Sequence, residues 1–484
     1  MSEKMESPAD YDLIILGGGV CGLAAAYEAL KQQPSLRVLL IEKESTLGGL
    51  ARSLQLGQQR ADFGPHRLHT EIPEVRKFLL RYAQKELESV KRKSAMLLRG
   101  EWIDYPPKPL EILRVLGPVA VARVFLRFGL ETLGRLLNPG SAKRQPDNFE
   151  TVMAAAFGTE LYRLIVLDYT RKVWKLNPKR IHGDIARVRV SAGGLQRMVK
   201  RLFVKEKAGQ ETALPQFLYL PGGVETLIHK LAADTERMGL STQLNAAVAG
   251  LERTGGIWSV QLDSGDIYTA QRVLSTIPVT ELGQLLLSKT PSSRVAKALT
   301  DARFIANFLV ALRVKRDRIT ENQWLYFPGK ETLFNRGYEP KNFSESMGAP
   351  GETLILFEVT CYEGDRIWQM TDEELVRRTL KDCQRIGLVS PMEVQETLVF
   401  RIPQTYPLYD LGYRERMQSV WNYLSDFPGL LSTGRQGLFL HNNMDHSIFM
   451  GFEAARWLQK NSPEQKTDSW YRRVSEFQAF RIVD

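Results

Sequence analysis

Cysteine is scarce: the 484 residues contain three, Cys21, Cys361 and Cys383, and no Cys-x-x-Cys pair. This excludes a disulfide framework or a thiolate metal centre and points to a reducing, cytoplasmic setting. Long apolar runs are missing as well, since no stretch reaches the roughly 18 uninterrupted residues that would cross a bilayer. No metal-spaced cluster, Ser-His-Asp signature or Walker loop is present, so metal, triad and P-loop chemistries have no support. Repeats and low-complexity segments are absent too. An acidic excess is also lacking: 65 Lys and Arg face 55 Asp and Glu, for a net charge of +10 and a pI of about 9.3. That balance suits anionic partners such as acidic lipid headgroups or a phosphorylated substrate. Nucleic acid is not expected, because no recognition motif accompanies the charge. Residues 1–10 are polar and lack an apolar signal core, and read as a short disordered leader.

What is present is ordinary for a globular protein, 43% apolar and 25% charged, with enough length for two cores. Near the N-terminus, the apolar run Asp12-Leu-Ile-Ile-Leu leads into Gly17-x-Gly19-x-x-Gly22. A helical stretch, a second apolar strand and the acid of Ile41-Glu42-Lys43 follow. Strand, glycine turn, helix, strand and acid in this order form the dinucleotide-binding fingerprint. Gly17 permits the tight turn, Gly19 the approach of a pyrophosphate, and Gly22 close packing of the helix. Glu42 is placed to take ribose hydroxyls. Val20, Cys21 and Lys43 complete the expected lining, with Cys21 acting as a small spacer.

The segment that follows is more particular. Gly48-Gly49-Leu50-Ala51-Arg52 can lie along the cofactor, with Gly49, Leu50 and Ala51 as backbone contacts and Arg52 offering a charge to phosphates. Asp62-Phe-Gly64-Pro65-His66-Arg-Leu-His69-Thr70 comes next. A nicotinamide-binding chain has no need of this second glycine-rich stretch. Together these motifs resemble the FAD-binding half of the amine oxidase and protoporphyrinogen oxidase superfamily. They are similar in particular to bacterial FAD-dependent oxidoreductases of the UDP-galactopyranose mutase-like type. Trp102-Ile-Asp-Tyr105-Pro-Pro, Tyr169-Thr-Arg171-Lys-Val-Trp174, Tyr406-Pro-Leu-Tyr409-Asp and Asn442-Asn443-Met444-Asp445-His446-Ser447 belong to the same resemblance. It implies an α/β fold: a Rossmann-like FAD-binding domain of the glutathione-reductase type, an inserted helical cap and a second, substrate-facing sheet.

The expected organisation is a discontinuous FAD-binding domain, 11–105, 215–280 and 400–484. A helical cap at 106–214 and a substrate-binding sheet at 281–399 interrupt it. A second cofactor-contacting strand is expected at Leu244–Leu251, with Val248 near the adenine. Thr276 and Pro278 mark the chain's return to the cofactor. Asn443, Met444, Asp445, His446 and Ser447 are expected at the flavin's pyrimidine edge, with Asp445 as the N-cap of the following helix. No cysteine neighbours that segment, so FAD is expected to be non-covalent.

Two features mark the cap. Between Pro118 and Leu137 the charges Arg123, Arg127, Glu131 and Arg135 fall four apart, leaving a wide apolar surface. A well-buried cap helix is the favoured reading; a surface helix at a membrane interface, or one bordering an apolar tunnel, is the alternative. From Arg163 to Lys207 basic residues outnumber acidic ones by roughly four to one. A solvated basic face is the default there, and peripheral contact with an anionic membrane is the sharper reading.

For chemistry, the resemblance places His66 and His446 beside the flavin as acid/base candidates, with Tyr406 and Tyr409 as further catalytic candidates. Substrate contacts are expected from Arg401, Tyr406, Tyr409, Arg435, Arg171 and Trp174, with Trp102 and Tyr105 lining the cap side. His182 and His229 have no motif around them and read as structural. The expected reaction is hydride transfer from an apolar or amphipathic small molecule to FAD. The alternative is a redox-neutral rearrangement of a nucleotide sugar through reduced flavin N5. A flavoprotein that has lost its chemistry is the third reading. Neither substrate identity nor oligomeric state is legible.

Overall fold

A computed structural model describes residues 9–83, 86–138, 146–189, 216–286, 290–480 and 482. The greater part of the expected leader, and the distal part of the basic run from 190 on, lie outside the described residues.

Two seven-stranded sheets organise the chain. In the first, Leu240–Gln243, Val38–Ile41, Tyr11–Leu16 and Ile267–Ser275 run parallel, and Leu430–Ser432 joins the end of the last of these. Ile257–Leu262 and Val248–Thr254 extend it by antiparallel hairpins. Ile14, Ile15 and Leu16 are completely buried, as a strand covered on both faces requires. One cover is the pair of helices Val20–Gln32 and Met444–Lys460. They cross closely enough that a Cβ on Gly451 would stand 2.4 Å from the Cys21 carbonyl oxygen. Only glycine fits there.

The second sheet runs in the order Val394–Pro407, Phe304–Val314, Thr353–Cys361, Arg336–Tyr338, Trp324–Tyr326, Ser94–Leu98, Glu101–Asp104. Strand periodicity sends alternate residues of Phe304–Val314 into two cores. Phe308, Val310 and Leu312 enter one, Leu309 and Ala311 the other.

Several expectations are corrected by this topology. Ser94–Leu98 and Glu101–Asp104, expected in the first FAD-binding segment, pair within the second sheet. The strand starting at Val394 continues to Pro407, well past 399. The strand expected at Leu244–Leu251 begins only at Val248 and runs to Thr254; the preceding strand ends at Gln243, and Asn245, with a φ of 52°, lies in the turn between them. Gln216–Tyr219 forms a separate short ribbon with Glu88–Lys91.

The cap contains helices at Pro109–Leu116, Pro118–Leu137, Phe149–Phe157, Leu167–Trp174 and Gly183–Arg189. Pro118–Leu137 has the expected bounds but not the expected burial: Val124 is its one buried residue. Leu161, Phe157, Leu164 and Ile165 cover the flank around Val124 and Phe128. Val119, Leu126, Leu130, Leu133 and Leu137 are exposed on the other side. The favoured reading of a buried cap helix is therefore wrong.

Candidate functional site

Two adjoining cavities lie where the sheets meet. The first, of about 500 Å³, follows the glycine loop. Gly17, Gly19, Val20 and Cys21 form its floor, Glu42 and Lys43 one end, and Gly49, Leu50, Ala51 and Arg52 a side. Val248, Thr276, Pro278, Met444 and Ser447 complete the expected lining. Gly22 lies behind it: a Cβ there would sit 2.1 Å from the Gly17 carbonyl oxygen, so its part is helix packing. Gly19 caps the helix Val20–Gln32 without any side-chain hydrogen bond, leaving the first-turn N–H groups facing the cavity. Glu42 accepts from Gly18 N at 2.7 Å and Glu44 N at 2.9 Å, which fixes its carboxylate at the strand end. Burial pushes the Cys21 thiol up to about 12, leaving it a neutral packing group.

The second cavity, of about 550 Å³, shares His66, Arg435 and Met444 with the first. Gly64 and Pro65 line this one, as do Asn443, Asp445 and His446. Asp62 holds the segment in place. It accepts from Ser53 Oγ at 2.7 Å, Val224 N at 3.0 Å and Tyr219 Oη at 2.7 Å. The helix Met444–Lys460 is capped by Asn443, not Asp445, which falls in its buried first turn.

The two candidate histidines differ. His66 Nε2 faces the Leu50 carbonyl oxygen at 3.2 Å, so it carries the proton there and Nδ1 keeps its lone pair. His446 Nδ1 accepts from Asn443 N at 3.1 Å, and its ring stacks on Phe480 at 4.6 Å. Burial holds both below the ordinary histidine range.

The substrate candidates separate. Tyr406 lines the second cavity, 5.6 Å from the Arg435 guanidinium. Arg435 donates to the Asn442 carbonyl and side chain, and lines both cavities. Arg401 reaches only the first cavity and is held by Asp372 and the Met370 carbonyl oxygen. Tyr409 reaches neither: it is 3% exposed, donates to the Phe439 carbonyl oxygen and stacks 3.9 Å from Tyr413. Its catalytic and substrate roles are replaced by a packing one. Trp174 is buried behind Tyr406, and Arg171 faces a separate surface basin beside Asp168, so neither lines the site. Trp102 packs on Phe327, and Tyr105 supports Tyr326 from behind. His182 accepts from Asp184 N and packs on Tyr413, and His229 is exposed on its helix.

The sequence reading missed Arg67, Arg92, Trp324, Tyr326, Arg336 and Phe480, all of which line the second cavity. Arg67 lies inside the Gly64–Thr70 motif and was within reach; the others carry no local signal. Arg336 is held by Glu358 through two 2.9 Å bonds, and that carboxylate keeps it charged against its burial. Arg92 differs: its Nε and Nη1 are buried with no hydrogen-bond partner among the described residues.

The model for flavin-containing amine oxidoreductases matches residues 20–449, nearly the whole of this architecture. The chain belongs to that family. Coproporphyrinogen III oxidase of Mycobacterium leprae (strain TN) is 24% identical over 422 residues, covering 84% of this chain and 90% of that protein. Protoporphyrinogen oxidase of Bos taurus is likewise 24% identical over 450 residues, covering 85% and 91%. The fold is shared with a reduced UDP-galactopyranose mutase, with a TM-score of 0.80 at 20% identity over 97% of this chain and 98% of the other. As a flavin-containing amine oxidoreductase the chain is a flavin-dependent enzyme. The glycine-lined first cavity, two helix N-termini and the fixed Glu42 carboxylate fit such a cofactor.

Proposed function

We propose that this enzyme binds FAD non-covalently in the first cavity and takes a hydride from an amphipathic, anionic small molecule in the second. The observation that carries this reading is the lining of the second cavity. Trp324, Tyr326 and Tyr406 offer apolar faces, while Arg67, Arg92, Arg336 and Arg435 bring positive charge to the same walls, the buried Nε and Nη1 of Arg92 having no hydrogen-bond partner among the described residues. A carboxylate or phosphate on the substrate would answer that charge.

FAD, when bound, supplies the two-electron sink. His66 Nδ1 is neutral at pH 7 and free to take the proton that leaves the substrate with the hydride. His446 is spent differently, since its Nδ1 is occupied by a backbone N–H; it orients the start of its helix. Arg435 and Tyr406 position the substrate between the cavities. Coproporphyrinogen III and protoporphyrinogen, named in the two relatives, are the first compounds to try.

The test is anaerobic mixing of the yellow protein with candidate substrates, following loss of the oxidised flavin's visible absorbance. A substrate should bleach it in wild type. Arg92→Met should raise KM about 10-fold or more with kcat little changed. An unchanged KM removes the anion-reading role. UDP-sugar binding that perturbs only the reduced spectrum, with no bleaching by any substrate, would transfer the site to redox-neutral nucleotide-sugar chemistry.

A further inference from the structure

The strongest feature outside the cavities is the outer face of the Pro118–Leu137 helix. Val119, Leu126, Leu130, Leu133 and Leu137 fall on one stripe at helical spacing and are 73, 66, 59, 53 and 78% exposed. Phe125 and Leu136 widen the stripe, and Leu110 of the preceding helix adds a residue 79% exposed. Twenty residues of helix extend the patch over about 30 Å. A contiguous apolar surface of that size on a soluble chain marks an interaction site.

The charges around it select the partner. Glu131, the helix's one carboxylate, is turned inward, where it accepts from Thr159 N at 3.2 Å. Arg135 is turned inward with it, donating to the Ala155 carbonyl oxygen at 3.0 Å. Arg123, 62% exposed, and Arg127 remain on the outer side, flanking the leucines. Glu160 stands 3.9 Å from Arg123 and no other carboxylate pairs with Arg123 or Arg127 among the described residues, so a second copy of the chain would set like charge against like. The membrane-spanning alternative fails as well: no helix among the described residues is long and apolar enough to cross a bilayer. We infer that this helix lies flat in the interface of an anionic lipid bilayer, its leucines among the acyl chains and Arg123 and Arg127 on the headgroup phosphates.

The inner flank of the same helix connects to the site. Ala120 and Val121 pack in one cluster with Tyr105 and Tyr326. Tyr105 lies 4.4 Å from Tyr326, and Tyr326 lines the second cavity. Docking therefore brings the cavity wall within a layer of side chains of the lipid. The docking itself does not depend on which reaction the enzyme performs.

The test is co-sedimentation of the full-length, flavin-loaded protein with vesicles, read without any substrate. Vesicles of phosphatidylcholine alone are compared with equal parts phosphatidylcholine and phosphatidylglycerol. Wild type should pellet with the mixed vesicles and remain in solution with the neutral ones. Leu126→Glu/Leu130→Glu and Arg123→Glu/Arg127→Glu should each weaken binding roughly 10-fold or more. Both pairs are exposed, so an unchanged flavin spectrum and melting temperature certify the fold. Equal pelleting of wild type and both variants overturns the inference. So does a wild-type dimer in analytical ultracentrifugation that the Leu126→Glu/Leu130→Glu pair splits, because the stripe is then a self-interface.

Discussion

The two cavities are built on opposite principles. The first is built largely on backbone: glycines, helix N-termini and the fixed Glu42 carboxylate, most of them close together in the chain. The second is a cavity of side chains: arginines and aromatics brought from residues 67, 92, 324, 326, 336, 406 and 435. Backbone recognition needs small residues at set intervals, and so leaves a motif. Side-chain recognition needs only that distant strands arrive together.

The sharpest way to break that contrast is at Gly22, which lines neither cavity yet holds the first one closed. Gly22→Val would drive a side chain into the Gly17 carbonyl, whose oxygen is 2.1 Å from where a Cβ would stand. We expect loss of FAD retention after gel filtration and a destabilisation of about 1–3 kcal/mol or more. Normal flavin content would show that the glycine turn has slack.

A smaller effect separates the two histidines. His66→Gln should keep FAD and lower kcat by about 10²–10⁴-fold, as for loss of a general base. His446→Gln should keep most of the turnover, since its acceptor atom already serves Asn443 N. Equal losses in steady-state assays would reject the division of roles.

The smallest expected effect is on stability. Both histidines are held below their usual range by burial, so below about pH 6.5 the unfolded chain binds more protons than the folded one. Stability should fall as pH drops from 7 towards 5. The slope of melting temperature against pH should be shallower in a His66→Gln/His446→Gln double variant. An identical slope would mean that other groups govern acid sensitivity.

How much of this was legible depends on distance along the chain. Gly17, Gly19, Glu42, Gly49 and Arg52 were readable because strand, turn and helix are local, and one short stretch states them all. The helix at 118–137 was readable in extent, from its charge spacing, but not in burial. Periodicity shows that an apolar face exists, not whether a neighbour arrives to cover it. Tyr409 was misplaced for a related reason: Tyr406 and Tyr409 share a motif, but the strand ends between them, and only Tyr406 reaches the cavity. Asp445 lost the cap to Asn443 because either residue type can begin a helix, and the turn before it decides which does.

Sequence alone determined the glycine-lined wall of the first cavity, because a strand, tight turn and helix in succession impose small residues at short range. Only the tertiary structure decided the rest. It showed which arginines face the second cavity, that Nδ1 of His446 is occupied by Asn443 N, and that among the described residues a leucine stripe is left uncovered. The first and last of these depend on which strand or helix meets which across long chain separations, and pairing of that kind leaves no trace in local spacing.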